Sequence, residues 1–364
     1  MSALTTHKRR LATIQQLVLG AAESLFPGYF ALVMATGVVS IACRLLGYPR
    51  LSLVLLGLNW VAYTALWFLT ALRLAFYRRR MVEDMFNHQR APGFFTVVAG
   101  TCVLGTQSSI VAGAQTIAEM LWYVGLGLWL VVMYAFFTAV TVRERKPSLA
   151  AGINGAWLIA AVATQSIVVL RGAIDSQGAP AVEIQFLCLV MFMVGCMLYL
   201  AIITLIFYRL TFVPLATRDF GPPYWINMGA VAITTLAGST LILAAGRWTL
   251  LADYLPFLKG FTLFFWSAAT WWIPFLLALM VWRYLVRGDR VAYEPALWGM
   301  VFPLGMYATG TYQLSRALDL PFLAAIPKGM VVVAILAWLA TFVGLLTHLS
   351  RITWAGVRSA AKGG

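Results

Sequence analysis

Charged residues are scarce in this 364-residue sequence. Asp, Glu, Lys and Arg together make up 10% of it and hydrophobic residues 62%, whereas about a quarter of an average soluble domain is charged. The apolar residues form continuous runs long enough to cross a bilayer, not the short alternating segments of a membrane β-barrel. The composition therefore excludes a soluble domain and a barrel, and it predicts an all-α polytopic membrane protein.

Metal-binding and catalytic patterns are also lacking. The three histidines are far apart in the sequence, and the four cysteines lie in apolar runs without CxxC spacing, so we predict no metal site and no cofactor. The chain has no HExxH or GxSxG motif and no pair of aspartates inside an apolar run. Because such motifs carry the chemistry of common hydrolases, these absences argue against an enzyme.

Carboxylates are absent from the middle of every apolar run. The chain has only 12 Asp and Glu residues, and each of them lies at or near the end of a run. Cation pathways and proton relays usually contain membrane-buried carboxylates. This absence therefore argues against a cation channel or a carboxylate-based proton pump.

Ten apolar segments predict ten transmembrane helices. Their approximate ranges are 26–46, 51–77, 92–112, 117–141, 149–171, 184–208, 223–245, 257–285, 295–316 and 325–349. We assign residues 26–350 to one transmembrane channel or transporter domain. Residues 1–25 are predicted to form a cytoplasmic N-terminal segment with an interfacial helix, and residues 351–364 a short cytoplasmic tail.

Basic residues set the predicted orientation. With ten spans, 19 of the 26 Lys and Arg residues lie on the side of the two termini, and the positive-inside rule places that side in the cytoplasm. Topology thus accounts for the net charge of +14, and we predict no nucleic-acid partner. The predicted location is the cytoplasmic (inner) membrane, crossed many times, with both the N- and the C-terminus in the cytoplasm.

A repeat becomes visible when the spans are taken in pairs. The odd spans are rich in Gly, Ser, Thr and amide residues, and the even spans in Leu, Val, Phe, Trp and Ala. Small residues allow close helix approach, and polar groups in lipid need partners or water. The pattern predicts five helical hairpins around a central pore, with odd helices inside and even helices outside. The openings of the odd spans recur every 60 to 73 residues, at Pro27, Pro92, Gly152, Pro222 and Pro295.

The candidate pore-lining residues are small and polar residues of the first four odd spans. They are Thr36, Gly37, Gly105, Thr106, Thr164, Gln165, Thr234, Thr235 and Gly238. The alternative is that Gly, Ser and Thr serve only helix packing in these spans, as small residues commonly do in membranes.

The beginnings of the odd spans favour a path for anions. Each odd span is predicted to begin on the cytoplasmic side, so the partially positive end of its helix faces the inner mouth. Four of the five also have a base just before them, and such a vestibule would concentrate anions. The positive-inside rule alone would predict some of the same bases. These candidate vestibule residues are Arg90, Lys146, Arg218 and Arg290.

The ninth span contains the candidate gate. Pro303 has no N–H, so the carbonyl of Gly299 loses its helical partner and the helix should kink there. A backbone fault at membrane depth is tolerated where it is buried in protein or lines a wet cavity. We predict that Phe302 blocks the pore as its gate and that Gly299, Pro303 and Gly305 let its helix flex. The alternative is a lipid-facing kinked helix with a packed phenylalanine, and Pro274 shows that an even span also carries a proline.

Five motifs, one on each odd span, carry a family resemblance. They read PGYFALVMATG, APGFFTVVAGTCVLGTQ, NGAWLIAAVATQSIVVL, PPYWINMGAVAI and LWGMVFPLGMYA. They resemble the tellurite-resistance/C4-dicarboxylate transporter family, which includes bacterial tellurite-resistance proteins, fungal malate and sulfite permeases and slow-type anion channels. The resemblance implies ten helices around a central pore, usually in a homotrimer, and it places the family's gate phenylalanine at Phe302.

The expected function is an anion channel or channel-like permease. Members of the resembled family pass chloride and nitrate or move malate, other C4-dicarboxylates or sulfite, so the expected partners are small inorganic or organic anions and the lipid bilayer. The alternative is a proton-coupled exporter of dicarboxylates or of oxyanions such as sulfite or tellurite. The scarcity of membrane-buried ionisable groups favours passive movement.

Overall fold

The fold is helical throughout its described part. The structure is a computed structural model that describes residues 15–176, 178–290 and 292–362, while the side chains of residues 218, 353 and 355–362 lie outside this description. Within these ranges the chain forms helices and turns with no β-strand. This confirms the prediction of an all-α protein.

Ten long helices, α1 to α10, follow one another in the chain. They are α1 (Ala31–Leu45), α2 (Pro49–Phe76), α3 (Phe95–Ala112), α4 (Gln115–Val142), α5 (Ile159–Ile174), α6 (Val182–Phe212), α7 (Ile226–Ala244), α8 (Leu255–Met280), α9 (Trp298–Ala317) and α10 (Ala325–Lys362). A 3₁₀ turn precedes each odd-numbered helix, and four of these five turns have a proline in their first two positions. Proline suits this place because its missing N–H would have no helical partner there.

Nine helical segments of the described chain are long and apolar enough to cross a membrane. The long helix outside this set is α9, although its 20 residues would reach about 30 Å at ~1.5 Å per residue. Its composition explains the difference, because Gly, Thr, Gln and Arg are interspersed with its apolar residues. The tenth membrane span therefore stays a prediction.

The five odd helices form a closed ring, which we call the inner ring. Helix α1 packs against α3, α3 against α5, α5 against α7, α7 against α9, and α9 against α1. Glycines allow the close approach. A Cβ atom on Gly310 of α9 would lie 2.8 Å from the carbonyl oxygen of Ala232 in α7, and one on Gly305 would lie 2.9 Å from Val38 of α1. Larger residues at these positions would push the helices apart.

The even helices surround the inner ring. Each of them packs against the odd helix of its own hairpin. In the most apolar stretches of α1, α3, α5 and α7, 78–89% of the residues are buried, whereas in those of the even helices only 22–50% are buried. Most of α9 is buried as well. The large side chains exposed on the even helices are mainly apolar, which suits contact with lipid chains rather than water. The predicted division into inner and outer helices is confirmed.

Tryptophans of the even helices hold the inner ring through their indole N–H groups. Trp129 of α4 donates to the hydroxyl of Thr164 in α5 at 2.8 Å, and Trp266 of α8 donates to Thr311 in α9 at 3.0 Å. In both cases the outer helix of one hairpin binds the inner helix of the next. A buried donor left without an acceptor would cost about 1–3 kcal/mol, so these bonds favour one arrangement of neighbouring hairpins.

The same kind of bond joins the last hairpin to the first. Trp338 of α10 donates its indole N–H to Thr36 of α1 at 2.9 Å. The two residues are 302 positions apart in the sequence, and α10 packs against both α9 and α1. The ring of hairpins is thereby closed on itself.

The predicted domain boundaries lie near the ends of the described chain. Residues 15–24 form a helix before the first 3₁₀ turn, at the place of the predicted interfacial helix. At the other end, α10 continues to Lys362. Residues 1–14 and 363–364 lie outside the described residues, and the boundaries at 25 and 350 stay predictions.

Replacing Gly310 with Ala should weaken the contact between α9 and α7. The added methyl group would meet the backbone oxygen of Ala232, which cannot turn aside as a side chain could, and overpacking of this kind costs typically about 1–3 kcal/mol. We expect Gly310→Ala to lower the thermal unfolding temperature of the purified protein in detergent. Gly57→Ala is the matched control, because nothing lies within 4 Å of a Cβ atom on Gly57. Equal unfolding temperatures for the two variants would contradict the close approach.

Candidate functional site

A cavity of about 500 Å³ opens inside the inner ring at the end where the odd helices finish, and we call it the upper cavity. Every odd helix supplies part of its wall. The lining residues include one example from each odd helix, which in chain order are Val38, Thr106, Ser166, Ile233 and Met306. The inner ring is therefore hollow at this end.

Most hydroxyl groups on the wall of the upper cavity are already engaged as donors. Thr106, Ser166, Thr240 and Thr309 each donate to a carbonyl oxygen three or four residues earlier in their own helix, at 2.7–3.0 Å. Such bonds are common for Ser and Thr inside helices. The hydroxyl oxygens turn mainly lone pairs toward the cavity, so these groups hold a passing anion only weakly.

Two arginines are the charged residues in the lining of the upper cavity. Arg247 follows the end of α7, and Arg316 lies in the last turn of α9. The amides Gln115 and Gln313 also line the cavity. Among the described residues of this lining there is no carboxylate, so the charge of the wall is positive.

A second cavity, the lower cavity, lies at the opposite end, where the odd helices begin, and has a volume of about 630 Å³. Asn154, Tyr224 and Ala296 line it, and they lie in or next to the 3₁₀ turns that precede α5, α7 and α9. Two further lining residues come from the outer helices, Arg209 from α6 and Arg283 from the turn after α8. The lower cavity therefore lies beside the beginnings of three inner helices and is bordered by outer helices as well.

Arg209 is a buried cation in the wall of the lower cavity. Its Nε donates to the carbonyl of Ala150 at 3.0 Å, and its Nη2 lies 3.6 Å from the carboxylate of Asp219. Its Nη1 and the hydroxyl of Tyr224 are buried without a hydrogen-bond partner in the described part of the chain. Because Asp219 and Glu294 also line this cavity, its charge is mixed, unlike that of the upper cavity.

Phe302 lies between the levels of the two cavities. Ala296, just before α9, lines the lower cavity, and Met306 lines the upper one. The α9 residues on the upper wall, including Met306, Thr309 and Gln313, recur at spacings of three and four and so share one face of the helix. Phe302 precedes Met306 by four residues on the same face, and its side chain is buried.

Helix α7 has a glycine at the level of Phe302. Gly229 precedes Ile233, which lines the upper cavity, by four residues. A Cβ atom on Gly229 would lie 3.5 Å from Cδ1 of Phe302 and 2.7 Å from Cγ of Pro303. The phenylalanine and the proline thus occupy the room that a side chain on Gly229 would need, and the aromatic ring packs close to the α7 backbone.

Comparison with known proteins places this architecture in a family. Residues 24–346 match the family described as voltage-dependent anion channel. The chain belongs to this family. The match includes all five odd helices, and it confirms the resemblance carried by the five motifs.

The protein has relatives in bacteria, archaea and fungi. An uncharacterized membrane protein of Mycobacterium tuberculosis is 39% identical over 163 residues, which are 44% of this chain and 82% of that protein. An uncharacterized transporter of Methanocaldococcus jannaschii is 22% identical over 86% of this chain and 92% of its own length. A sulfite efflux pump of Arthroderma benhamiae is 22% identical over 88% of this chain and 90% of its own length.

The three predicted hinge residues of α9, Gly299, Pro303 and Gly305, are not packed equally tightly. Helix α9 continues through Pro303. A Cβ atom on Gly299 would make only ordinary contact with Ile226, at 3.5 Å, whereas Gly305 is tightly packed against Val38. The packing is therefore tighter at Gly305 than at Gly299, where a methyl group would fit in ordinary contact. The hinge function of both residues stays a prediction.

Among the nine predicted pore-lining residues, Thr106 lines the upper cavity. Four others contact an outer helix: Thr36 contacts Trp338, Thr164 contacts Trp129, Gln165 contacts Phe192, and Gly238 contacts Thr262. Gly37 and Gly105 each adjoin both an inner and an outer helix, Gly37 beside Val103 and Asn59 and Gly105 beside Leu170 and Leu121. Thr234 and Thr235 donate to carbonyls of their own helix α7. For these eight residues the contacts fit the packing alternative, and a pore-lining function stays a prediction.

The predicted vestibule bases have varied surroundings. Arg90 forms an ion pair with Asp84, which also binds Arg73 at 2.7 Å, so one carboxylate is shared between two guanidinium groups. Lys146 and Arg290 are exposed and are not in the lining of the lower cavity. The side chain of the fourth predicted base, Arg218, lies outside the described residues. The vestibule function of the four bases stays a prediction.

Arg209 and Arg283, which line the lower cavity, are not among the predicted vestibule bases. Both lie at the ends of even helices, whereas the predicted bases lie just before odd spans. Their signal in the sequence is a base at the end of a predicted outer span, in the last turn of α6 for Arg209 and just beyond α8 for Arg283. Such bases also follow from the positive-inside rule, so sequence alone does not distinguish the two explanations.

A pair of threonine variants separates packing from pore lining. In Thr164→Val the indole N–H of Trp129 loses its acceptor, and a buried unpaired donor costs about 1–3 kcal/mol. Thr106→Val removes a hydroxyl on the cavity wall that bonds only within its own helix. We expect Thr164→Val to lower the unfolding temperature without changing the current per molecule in lipid bilayers. Thr106→Val should change the current with a smaller loss of stability, and the reverse pattern would contradict these placements.

Proposed function

We propose that this protein is an anion channel or channel-like permease of the cytoplasmic membrane, with Phe302 as its gate. The observation that carries the proposal is the position of Phe302 relative to the two cavities. Two cavities lie at opposite ends of the ring. Phe302 is buried between their levels, on the face of α9 that lines the upper cavity. Membership of the voltage-dependent anion channel family supports anions as the transported class.

The charges along this axis favour anions over cations. The five odd helices contain no Asp or Glu, although cation paths usually need such groups. All five odd helices begin at the end of the ring where the lower cavity lies, and the turns before α7 and α9 line that cavity, so the partially positive ends of these helices face it. At the other end, the upper cavity has two arginines and, among its described lining residues, no acid.

The proposed orientation places the lower cavity on the cytoplasmic side. The distribution of Lys and Arg supports this through the positive-inside rule, and both termini are then cytoplasmic. A homotrimer with one pore in each subunit is the assembly that the family resemblance favours. The apolar outer faces of the even helices supply surface for contacts with lipid and with neighbouring copies.

The proposed gate works by steric exclusion and dewetting. An apolar ring in a narrow path leaves no group to replace the water around an ion, so the ion meets a barrier. Opening requires the ring to leave the axis. The packing beside Gly299 is looser than that beside Gly305, so the beginning of α9 is the part proposed to move while Gly305 stays packed against α1.

The second candidate is a proton-coupled exporter of dicarboxylates or of oxyanions such as sulfite or tellurite. The relative named as a sulfite efflux pump favours it, and Asp219 and Glu294 supply ionisable groups in the lower cavity. Chloride, nitrate and C4-dicarboxylates such as malate remain the substrates of the first candidate.

Purified protein in planar bilayers tests the two candidates. A channel gives a current whose reversal potential follows the anion gradient when chloride is replaced by nitrate or malate. A pH gradient alone should leave that reversal potential unchanged. A reversal potential that shifts with the pH gradient would favour the coupled exporter, and the absence of any anion flux would contradict both candidates.

Removing the ring of Phe302 should open the path. We expect Phe302→Ala to raise the anion current several-fold and Phe302→Leu to give an intermediate value, because the barrier depends on the size of the apolar group. Phe265→Ala is the matched control, since Phe265 is a fully buried phenylalanine of the outer helix α8. It should destabilise the protein without raising the current. Unchanged current in well-folded Phe302→Ala would contradict the gate.

A further inference from the structure

The two arginines of the upper cavity are placed differently from the other bases at that end. Arg247 and Arg316 are exposed, and both line the cavity. Neither has an ion-pair partner within 4.0 Å in the described part of the chain. In contrast, Arg171 at the same end is buried and is paired with Asp175 and Glu119. The fold thus neutralises the buried base and leaves the two cavity bases uncompensated.

The nearest acids in the sequence do not offset this charge inside the cavity. Asp253 follows Arg247 by six residues and Asp319 follows Arg316 by three. Both are exposed, and neither is in the lining of the upper cavity. A positive charge in a concave site with low-dielectric walls focuses the field into the opening, so the mouth of the upper cavity attracts anions.

The strong hydrogen-bond donors of the cavity are concentrated at the same mouth. Besides the two guanidinium groups, the wall carries Gln115, whose Oε1 accepts a bond from Ser109 at 3.0 Å. This bond leaves the amide N–H groups of Gln115 available. The hydroxyls elsewhere on the wall, such as Thr106 and Thr309, donate to their own helices. Donors to an anion are therefore found at the mouth and are scarce on the rest of the wall.

We propose that the mouth of the upper cavity is an anion-binding site formed by Arg247 and Arg316, and that it prefers small doubly charged oxyanions to monovalent anions. The inference rests on the proposed function, since it assigns the site at which anions enter or leave the path. The interaction energy of a fixed charge with a ligand grows in proportion to the ligand's charge. Two uncompensated guanidinium groups in one cavity therefore favour a dianion, and a volume of about 500 Å³ admits one readily.

Sulfate is a suitable probe of this site. A sulfate ion held at the mouth slows chloride, so sulfate added on the upper-cavity side should block the chloride current at low ionic strength. We expect Arg247→Gln and Arg316→Gln each to raise the half-blocking sulfate concentration about three- to ten-fold, the range for loss of one charge-assisted contact in a partly exposed site. The double variant should lose the block. Sulfate on the opposite side should act equally on all variants.

Arg44→Gln is the matched control for these variants. Arg44 is an exposed base in the last turn of α1, at the same end of the protein, but it does not line the cavity. The control should keep the block of the unchanged protein. High salt should reduce the difference between the variants and the control, because the Debye length falls to about 3 Å at 1 M.

The outcomes separate this site from the proposed function. If the unchanged protein conducts chloride but sulfate blocks the two arginine variants as it blocks Arg44→Gln, the site is contradicted and the channel is not. A stronger block by monovalent nitrate than by sulfate would overturn the preference for dianions. If no variant conducts any anion, including Phe302→Ala, the proposed function fails. In that case, calorimetric titration of sulfate into the purified protein and into the double variant tests the binding site independently of conduction. Equal binding heats for the two proteins would overturn the site.

Discussion

The architecture depends on one constraint: polar groups inside a membrane protein must find their partners within the protein. The odd helices carry hydroxyls and amides that lipid would not satisfy, and they are gathered where other helices cover them. Trp129, Trp266 and Trp338 donate to threonines of the next inner helix and so join three of the five pairs of neighbouring hairpins. The two cavities and the level of Phe302 exist only while these contacts hold the inner ring together.

The chemistry along the axis changes in a definite order. Free guanidinium groups and amide donors lie at the mouth of the upper cavity, hydroxyls with engaged protons follow, and a buried aromatic ring comes next. The lower cavity has bases and acids together. Conduction requires that an ion be bound well enough to enter and weakly enough to leave. The positively charged mouth of the upper cavity favours the entry of anions. The wall beyond it has few free hydrogen-bond donors, so it binds anions weakly enough for them to leave.

The alternation of small, polar segments with apolar ones was enough to predict which helices are inner. This alternation reflects how buried each helix is on average, because the average burial of a helix is related to its overall composition. The direction of each side chain could not be predicted in this way, because an inner helix is covered on every side. Thr164 and Ser166 are two residues apart in α5, yet one binds Trp129 of an outer helix and the other lines the upper cavity. Arg209 was missed because only the fold brings the end of α6 beside the segments that precede α5, α7 and α9.

The modest hydropathy of α9 has a consequence for what holds this helix in the membrane. A segment that is not apolar enough to qualify as a span by composition gains little from partitioning alone into lipid, where each added polar or charged residue opposes insertion. Helix α9 is nevertheless enclosed by α1, α7 and α10. Two of these helices, α1 and α7, precede α9 in the chain and one follows it, so the segment that carries Phe302 is held in place by its neighbours more than by its own affinity for lipid.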